Sequence, residues 1–267
     1  MKLGINYMVF DGEELLEFAI KSIRDQVDFV SVIWQNLSYF GNKSNLKLEN
    51  TINKLKQDGL VDNVTHYTQD LNLHFKQNEL NIRNLGLDLS IENGCTHHIS
   101  SDVDEFYLSD HLIYAKQEMK DHDCSIISII NYYKQPDYII YPDQQHFCTF
   151  IHPVSNRYEI SKTFPYGVEH TRRHTQCNNC KIFEKNEIVV HHMSYVRKDI
   201  KKKLENSSNG QFCNIKRICN EFDKYKLGGK LRVPPDLKIR KTILGKNLFN
   251  IKFEGVKWQE HQSQEKD

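Results

Sequence analysis

The sequence predicts an α/β fold in which helices flank a mostly parallel central sheet. Short apolar runs alternate along the chain with segments whose apolar residues recur at helical spacing. The apolar runs are continuous rather than alternating, which is typical of parallel strands buried on both faces. A length of 267 residues suffices for one large domain of this class.

The composition narrows the class of protein. Hydrophobic residues make up 39% and charged residues 27%, which indicates a soluble globular chain rather than a disordered one. A net charge of +1 gives no general attraction to nucleic acid or to anionic membranes. The longest apolar runs are too short to span a bilayer, and acidic residues follow the first ten positions, unlike a signal peptide. We therefore expect a cytoplasmic protein in which most of the seven cysteines are reduced, buried thiols.

The first half of the chain predicts alternating strands and helices. Glu13 and Glu14 suit the first turn of a helix, and Asp58-Gly59 ends another. The predicted elements are strands at 3–10, 29–34, 63–67 and 96–100, and helices at 13–24, 45–57 and 76–93.

The second half is less regular. Its predicted elements are helices at 109–120, 199–204 and 212–225, strands at 124–133 and 187–192, and a strand-turn-strand at 138–151. Val233-Pro234-Pro235 cannot continue any regular element. Residues 238–252 form a basic tail, which we expect to be a helix or an arm that covers its own domain.

An acidic stretch, Asp102-Val103-Asp104-Glu105, follows the fourth predicted strand. Open α/β sheets bind ligands at the carboxyl ends of their strands. Carboxylates this close repel one another, and a Mg²⁺ or Mn²⁺ ion, which often also carries substrate phosphates, relieves that repulsion. The alternative interpretation is a solvated turn.

Several motifs occur in a fixed order along residues 1–210. They are Phe10-Asp11-Gly12-Glu13-Glu14, Arg83-Asn84-Leu85-Gly86, Asp102-Val103-Asp104-Glu105-Phe106-Tyr107 and His191-His192-Met193-Ser194-Tyr195-Val196-Arg197. In this order and spacing the chain resembles the family 2-like glycosyltransferases of the GT-A fold.

The resemblance implies a GT-A-like domain at 1–210, with a nucleotide-sugar half at 1–108 and an acceptor half at 109–210. Residues 211–267 would be a small, irregular, helical and basic extension. The implied activity is metal-dependent transfer of a hexosyl group from a nucleotide-diphosphate sugar, preferentially a UDP-sugar, to a hydroxyl of a glycan acceptor. The implied cofactor is Mn²⁺ or Mg²⁺, which neutralises the leaving diphosphate.

The same resemblance assigns the metal ligands. Asp104 would bind the ion directly, and Asp102 would reach the ribose or the water shell of the metal. His191 and His192 are adjacent on a strand and point to opposite faces, so we choose His192 as the third ligand. A neutral imidazole favours Mn²⁺. The alternative is that both are ordinary strand-end histidines.

The resemblance also implies the remaining contacts to the donor. Arg83 would bind the diphosphate, because a guanidinium matches phosphate oxygens; otherwise it is a charge on a solvated helix face. Met8 and Phe10 would line the nucleotide base at the end of the first strand. Gln35, or Asn36 beside it, would contact the base at the end of the second, where many relatives have an acidic residue.

An inverting transferase needs a general base near the acceptor hydroxyl. Glu169 is the first candidate and Asp143 the second, whereas a retaining mechanism would need neither. Arg172 and Arg173 are predicted either as surface charges or as contacts to an anion.

The spacing His170-x3-His174-x2-Cys177-x2-Cys180 also leaves open a structural zinc site, the alternative being a polar loop over the acceptor site.

Three rival functions stay open. A nucleotidyltransferase of similar fold usually has a Gly-rich basic loop after the first strand, whereas Phe10-Asp11-Gly12-Glu13 is acidic. A degenerate transferase that binds glycans without turnover is the second rival. A metal-dependent phosphoesterase is the third.

Overall fold

Two sheets organise the chain in the computed structural model, which describes residues 1–161, 164, 166–174, 177–234 and 236–258. The α-helices are α1 (Glu13–Lys21), α2 (Leu48–Gln57), α3 (Phe75–Glu92), α4 (Ser109–Glu118), α5 (Ile200–Asn206) and α6 (Ile215–Lys224). The strands of the first half are β1 (Leu3–Val9), β2 (Phe29–Trp34), β3 (Asn63–His66), β4 (His97–Asp102) and β5 (Glu105–Phe106). The strands that follow are β6 (Cys124–Tyr133), β7 (Gln135–Tyr141), β8 (Phe147–Thr149), β9 (His152–Pro153) and β10 (Tyr158–Glu159). The last strands are β11 (Arg173–His174), β12 (Cys180–Ile182), β13 (Val189–Tyr195), β14 (Lys230–Arg232) and β15 (Ile239–Leu244).

The first sheet has the order β3-β2-β1-β4-β9, and its strands β1 to β4 are all parallel. Its central strands are almost wholly buried, which explains their continuous apolar character. With the flanking helices this is the mixed α/β architecture that the sequence predicts. The register pairs Met8 with Asp102, so the exit of β1 and the acidic stretch lie at the same edge of the sheet.

Helix α3 lies very close to β1 because it has a glycine at the contact. A Cβ atom on Gly86 would come within 2.3 Å of the Asn6 side chain. The glycine of the Arg83-Asn84-Leu85-Gly86 motif therefore has a packing role that is separate from any role of the other three residues.

The second sheet has the order β14-β15-β7-β6-β13-β5 and lies beside the first. Strand β13 pairs antiparallel with β5, with His192 opposite Glu105 and His191 opposite Phe106. This pairing brings the two histidines to the acidic stretch across a long separation in sequence.

The second sheet also receives the end of the chain. Strand β15 pairs with β7, and Ile251 and Phe253 are buried in the main hydrophobic core. The sequence missed both β14 and β15, because exposed basic residues interrupt their apolar positions. Helix α6 packs on a second core around Tyr133.

Three buried histidines join β4, β9 and β11. The ring centroids of His98 and His152 are 5.7 Å apart, and those of His152 and His174 are 4.2 Å apart. His98 is hydrogen-bonded to Ser90 and Asn6, and His152 to Tyr158. Burial lowers the pKa of His98 to about 3 and that of His174 to about 4, and it holds that of His152 well below its usual range. All three are therefore neutral at pH 7.

Boundaries differ from the predicted ones mainly at helix ends. Helix α1 stops at Lys21, and a 3-10 turn at Arg24–Gln26 completes the predicted segment. Helix α2 begins at Leu48 rather than at 45. Among the described residues, no helix combines the length and the apolar character that crossing a membrane requires.

Candidate active site

A cavity of about 600 Å³ opens at the carboxyl end of β4. Loops after β4, β7 and β10, together with β13 and α5, form its walls. Its charged and imidazole-bearing lining residues are Lys76, Glu79, Asp102, Glu105, His146, Glu169, His170, Arg173, His192 and Lys203. This is the edge of the sheet at which the sequence predicts ligand binding.

Asp104 lies beneath this cavity and is almost completely buried. Its Oδ2 atom accepts hydrogen bonds from Arg197 Nη2 at 2.5 Å and from Lys203 Nζ at 3.0 Å. Its Oδ1 atom faces His192 Nε2 at 3.4 Å. Burial opposes ionisation, but Lys203, His192 and Arg197 together hold the pKa of this carboxyl well below its usual range. Asp104 is therefore a buried, fully ionised carboxylate with three basic neighbours.

His192 is turned toward the cavity, whereas His191 faces the opposite side of β13. The Nδ1 atom of His192 is hydrogen-bonded to Asn131 Oδ1 at 2.8 Å, and an amide oxygen can only accept. The proton is therefore on Nδ1, and Nε2 is directed at Asp104. Burial disfavours protonation of His192, but Asp104 outweighs it, and the pKa of His192 is raised. His191 instead bonds Tyr132 and packs on Phe249.

Asp102 belongs to a different set of contacts. Its carboxylate pairs with Arg83 at 3.3 Å and with Arg172 at 3.0 Å, and about a third of its side chain is exposed. The guanidinium of Arg172 also donates hydrogen bonds to both carboxylate oxygens of Glu105, at 2.9 and 2.7 Å. Glu105 in turn accepts a hydrogen bond from the backbone N–H of Asp102, so it helps to orient that residue.

Arg83 is fully buried, and its guanidinium is occupied by protein groups. It donates to Glu79, Ser100, Asp102, Thr171 and Glu169. A guanidinium has five N–H donors, and with this many protein partners few of them are free to bind a phosphate. Arg83 therefore does not lie on a solvated helix face, and in this structure it holds the carboxylates of the cavity floor in place. A contact of Arg83 to a diphosphate stays a prediction.

Glu169 projects into the cavity from the loop before β11. Its Oε2 atom lies 3.0 Å from Arg172 Nε and 3.5 Å from Arg83 Nη2, and 44% of its side chain is exposed. Desolvation within the cavity and the nearby Glu79 raise the pKa of Glu169 to about 7, against the opposing effect of the two arginines. A carboxyl group with this pKa exchanges protons readily at neutral pH.

Asp143, the other predicted base, lies elsewhere. It follows the cis peptide bond at Tyr141-Pro142 and forms an ion pair with Lys185. It is not among the lining residues of the cavity, although its neighbour Gln144 is.

The residues predicted to hold a nucleotide base are at the carboxyl ends of β1 and β2, outside the lining of this cavity. Met8 and Phe10 are half-buried, and Lys202 Nζ lies 5.8 Å from the centre of the Phe10 ring. Gln35 is buried, and its Nε2 atom has no hydrogen-bond partner among the described residues. A base-binding role for these three residues stays a prediction.

The predicted metal ligands converge only in part. Asp104 Oδ1 and His192 Nε2 face each other. The hydrogen bond from His192 Nδ1 to Asn131 Oδ1 fixes the orientation of the imidazole, as is usual for histidines that bind a metal. Asp102 is directed to arginines instead. Within the described ranges, the residues that gather three possible ligand atoms are cysteines, not this trio. The structure thus brings Asp104 and His192 together without Asp102, with Arg197 and Lys203 on the other oxygen of Asp104, and the three-residue metal site stays a prediction.

The cysteines agree with the expectation only in part, because most are free thiols but only two of the free ones are buried. Cys124 and Cys177 form a disulfide, while Cys95, Cys148, Cys180, Cys213 and Cys219 are free. Cys177 and Cys180 lie near Cys124 rather than with His170 and His174. His174 is buried beside His152, so the proposed zinc site of two histidines and two cysteines does not form.

Sequence reasoning underrated three basic residues of the site: Arg172, Arg197 and Lys203. The sequence predicts Arg172 as a surface charge or a contact to an anion, whereas it is buried and pairs with Asp102, Glu105 and Glu169. Arg197 is the last residue of the histidine motif, and Lys203 follows shortly after it. The resemblance assigns a role to the histidines of this motif but none to these two residues. Glu79, one helical turn before Arg83, was detectable as an i,i+4 ion pair.

Comparison with known proteins gives distant structural similarity. The chain resembles S. aureus TarS 1–349, with 11% identity and a TM-score of 0.44 over 78% of this chain and 66% of that chain. It also resembles the mannosyltransferase PcManGT from Pyrobaculum calidifontis in complex with GDP-Man and Mn²⁺, with 12% identity and a TM-score of 0.34 over 51% and 36%. A third similar structure is 4-diphosphocytidyl-2C-methyl-D-erythritol synthase, with 10% identity and a TM-score of 0.35 over 57% and 73%.

The TarS structures include complexes with UDP and with UDP-GlcNAc. The chain spans less than two thirds of the TarS 1–349 chain and 40% of another TarS chain. No protein-family profile and no curated protein matches the sequence. At these identities and TM-scores the similarity assigns neither an activity nor a ligand to this chain.

Proposed function

We propose that this protein is a glycosyltransferase that moves a sugar from a nucleotide-diphosphate donor, preferentially a UDP-sugar, to a hydroxyl of a glycan acceptor. The observation that carries the proposal is Glu169. Its carboxyl has a pKa of about 7 and projects into a 600 Å³ cavity beside Asp102, at the ligand-binding edge of a parallel sheet. A group with this pKa suits removal of the acceptor proton at neutral pH, as an inverting transfer needs.

Basic side chains are available to an anionic donor, although carboxylates share the cavity with them. Lys76, Arg173 and Lys203 line it beside Glu79, Asp102, Glu105 and Glu169, and His170 and His192 add two imidazoles. Cationic side chains in a partly closed site stabilise the charge that develops on a leaving diphosphate. Lys203 is the best placed for this, because it lies on the wall and is already tied to Asp104.

The proposed cofactor is Mn²⁺, with Mg²⁺ as the substitute. Asp104 and His192 would hold it, and it would supply Lewis-acid neutralisation of the diphosphate. Its contribution can be measured without turnover, as the increase in melting temperature that Mn²⁺ and UDP give together. We expect His192→Gln to abolish that increase and His191→Gln, on the opposite face of the same strand, to retain it. An increase of equal size in both variants would overturn the assignment of His192.

The function is tested by a panel of nucleotide sugars with Mn²⁺ or Mg²⁺, scored by release of the nucleoside diphosphate with and without glycan acceptors. The parent protein should release a nucleoside diphosphate from at least one donor. Glu169→Gln should be slower by about 100-fold or more, the usual contribution of a general base.

Asp143→Asn is the matched control, because it removes the same type of carboxylate from the other predicted base. It should retain the parent rate. Equal losses in both variants would overturn the role of Glu169. Tight glycan binding without release of any nucleoside diphosphate would instead identify a non-catalytic binding protein.

A further inference from the structure

Three cysteines meet at the far end of the loop that carries Glu169 and Arg172. The Sγ atoms of Cys124, Cys177 and Cys180 all lie within 4.8 Å of one another. We call this set the three-cysteine cluster. It lies outside the cavity lining, and the proposed transferase chemistry does not use it.

The backbone around the cluster is firmly held. Strand β12 pairs parallel with β6, with Cys180 opposite Cys124. The N–H groups of Asn178 and Asn179 donate to Asp123 Oδ2 at 3.2 and 3.1 Å, and the Asp123 N–H donates to the Asn179 carbonyl at 2.9 Å. These bonds shape Cys177-Asn178-Asn179-Cys180 into a tight turn that presents both of its sulfurs to Cys124.

We propose that the three-cysteine cluster, in its reduced form, binds one Zn²⁺ ion. Thiolates are the soft ligands that Zn²⁺ prefers, and a Cys-x2-Cys turn is a frequent half of a zinc site. Zn–S bonds of about 2.3 Å at tetrahedral angles place sulfurs about 3.8 Å apart. The three Sγ atoms already lie within 4.8 Å of one another, so small side-chain rotations after reduction would reach that spacing. Cys177 and Cys180 are partly exposed and Cys124 is buried, so an ion can enter from one side, with solvent at its fourth position.

The disulfide is the oxidised alternative to the metal site. A phosphine reductant in water breaks the Cys124–Cys177 bond, supplies two electrons, becomes a phosphine oxide and leaves two protonated thiols. Zn²⁺ then replaces the three thiol protons, which pass to solvent.

A zinc ion here would bind one end of the active-site loop to β6. Residues 166–174 carry Glu169 and Arg172, and Cys177 follows shortly after them. The ion would hold this end of the loop under reducing conditions, in which a disulfide does not persist.

The test uses the full chain, reduced with a phosphine and freed of metal. Iodoacetamide labelling followed by peptide mass spectrometry should modify Cys177 and Cys180 in the metal-free protein. One equivalent of Zn²⁺ should protect both. Cys213 and Cys219, which are also partly exposed, should be labelled equally with and without Zn²⁺.

A spectroscopic titration checks the same site. Co²⁺ should produce a thiolate charge-transfer band that saturates at one ion per chain and disappears when Zn²⁺ is added. Cys180→Ser should remove most of the band, and Cys219→Ser should keep it.

Each other outcome overturns the proposal. Labelling of Cys177 and Cys180 that Zn²⁺ does not change excludes a metal site. A Cys124–Cys177 bond that survives reduction in the folded protein marks a purely structural disulfide. Equal protection of Cys213 and Cys219 marks non-specific binding.

Discussion

Glu169 has a carboxyl whose pKa lies in the range of ordinary assays. With a pKa of about 7 it is mostly protonated in mild acid and ionised above neutrality. A general base works only when ionised, so kcat/KM should rise with pH and level off above about pH 7. The measurement is the initial rate of nucleoside diphosphate release across that range. In Glu169→Gln the residual rate should lose this ionisation, and a parent profile with no ionisation near 7 would contradict the assignment.

We expect Asp104 to contribute to the free energy of unfolding. It is the buried counter-charge of Arg197 and Lys203, so Asp104→Asn leaves Arg197 buried without a full partner. Breaking such a pair costs about 3–5 kcal/mol, and urea unfolding should show a loss of this order.

The exposed ion pair of Lys21 with Glu17 is the control. Glu17→Gln should change the free energy of unfolding by less than about 1 kcal/mol, as is usual for surface pairs. Equal, small effects in both variants would mean that Arg197 is satisfied without Asp104.

Helix α3 is placed by its contact with β1. A methyl group added at Gly86 would overlap the Asn6 side chain, so Gly86→Ala should push the helix outward. Overpacking of this kind costs about 1–3 kcal/mol, which thermal or urea unfolding can resolve.

Gly167→Ala is the matched control, because a Cβ atom there meets no described residue within 4 Å. Its stability should be close to that of the parent. Helix α3 also carries Arg83 and Glu79, so Gly86→Ala should slow the proposed transfer in addition. Unchanged stability in Gly86→Ala would show that α3 adjusts without cost.

The molecule as a whole should lose stability in mild acid. His98, His152 and His174 have a lower pKa when folded than when unfolded, so each takes up a proton on unfolding once the pH falls below about 6.5. Glu169 acts in the opposite sense, because its raised pKa makes the folded state bind the extra proton between about pH 4.5 and 7. The balance of these four groups is about two protons taken up on unfolding, or on the order of 2–3 kcal/mol per pH unit near pH 5.5.

Urea unfolding between pH 7 and pH 5 measures this slope. His174→Gln should reduce it by about 1.4 kcal/mol per pH unit, the equivalent of one proton. A parent protein whose stability does not change over this range would contradict the neutral, buried state of the three histidines.

Most of the parallel sheet is predictable from the sequence, because each of its strands is a short apolar run that can be recognised without knowing its partners. Strand β2 has the predicted bounds, since a continuous apolar run buried on both faces has few alternatives. Strand β15 was missed because Arg240 and Lys241 give it the character of a basic tail, and only its pairing with β7 makes it a strand.

The site was harder to predict than the sheet. Arg172 is buried among carboxylates that are distant in sequence, Asp102 and Glu105, and no local pattern shows that they will meet. The same holds for the disulfide of Cys124 and Cys177, whose partners are 53 residues apart. The resemblance predicts that His192 lies close to Asp104. It does not predict that Arg197 and Lys203 both donate hydrogen bonds to Asp104 Oδ2.

The burial of Ile251 and Phe253 has a consequence for how the chain is made. Both residues belong to the core that also contains β1 and α1, and the Phe249 ring packs at a tilt against Phe106 beside the acidic stretch. A ribosome delivers the first strands long before these side chains, so the core stays incomplete until nearly the whole described chain has emerged. Domains whose contacts join distant parts of the chain fold slowly and expose apolar surface while they wait. Nascent chains arrested before Phe249 should therefore remain sensitive to protease, and chains arrested well after Phe253 should become resistant.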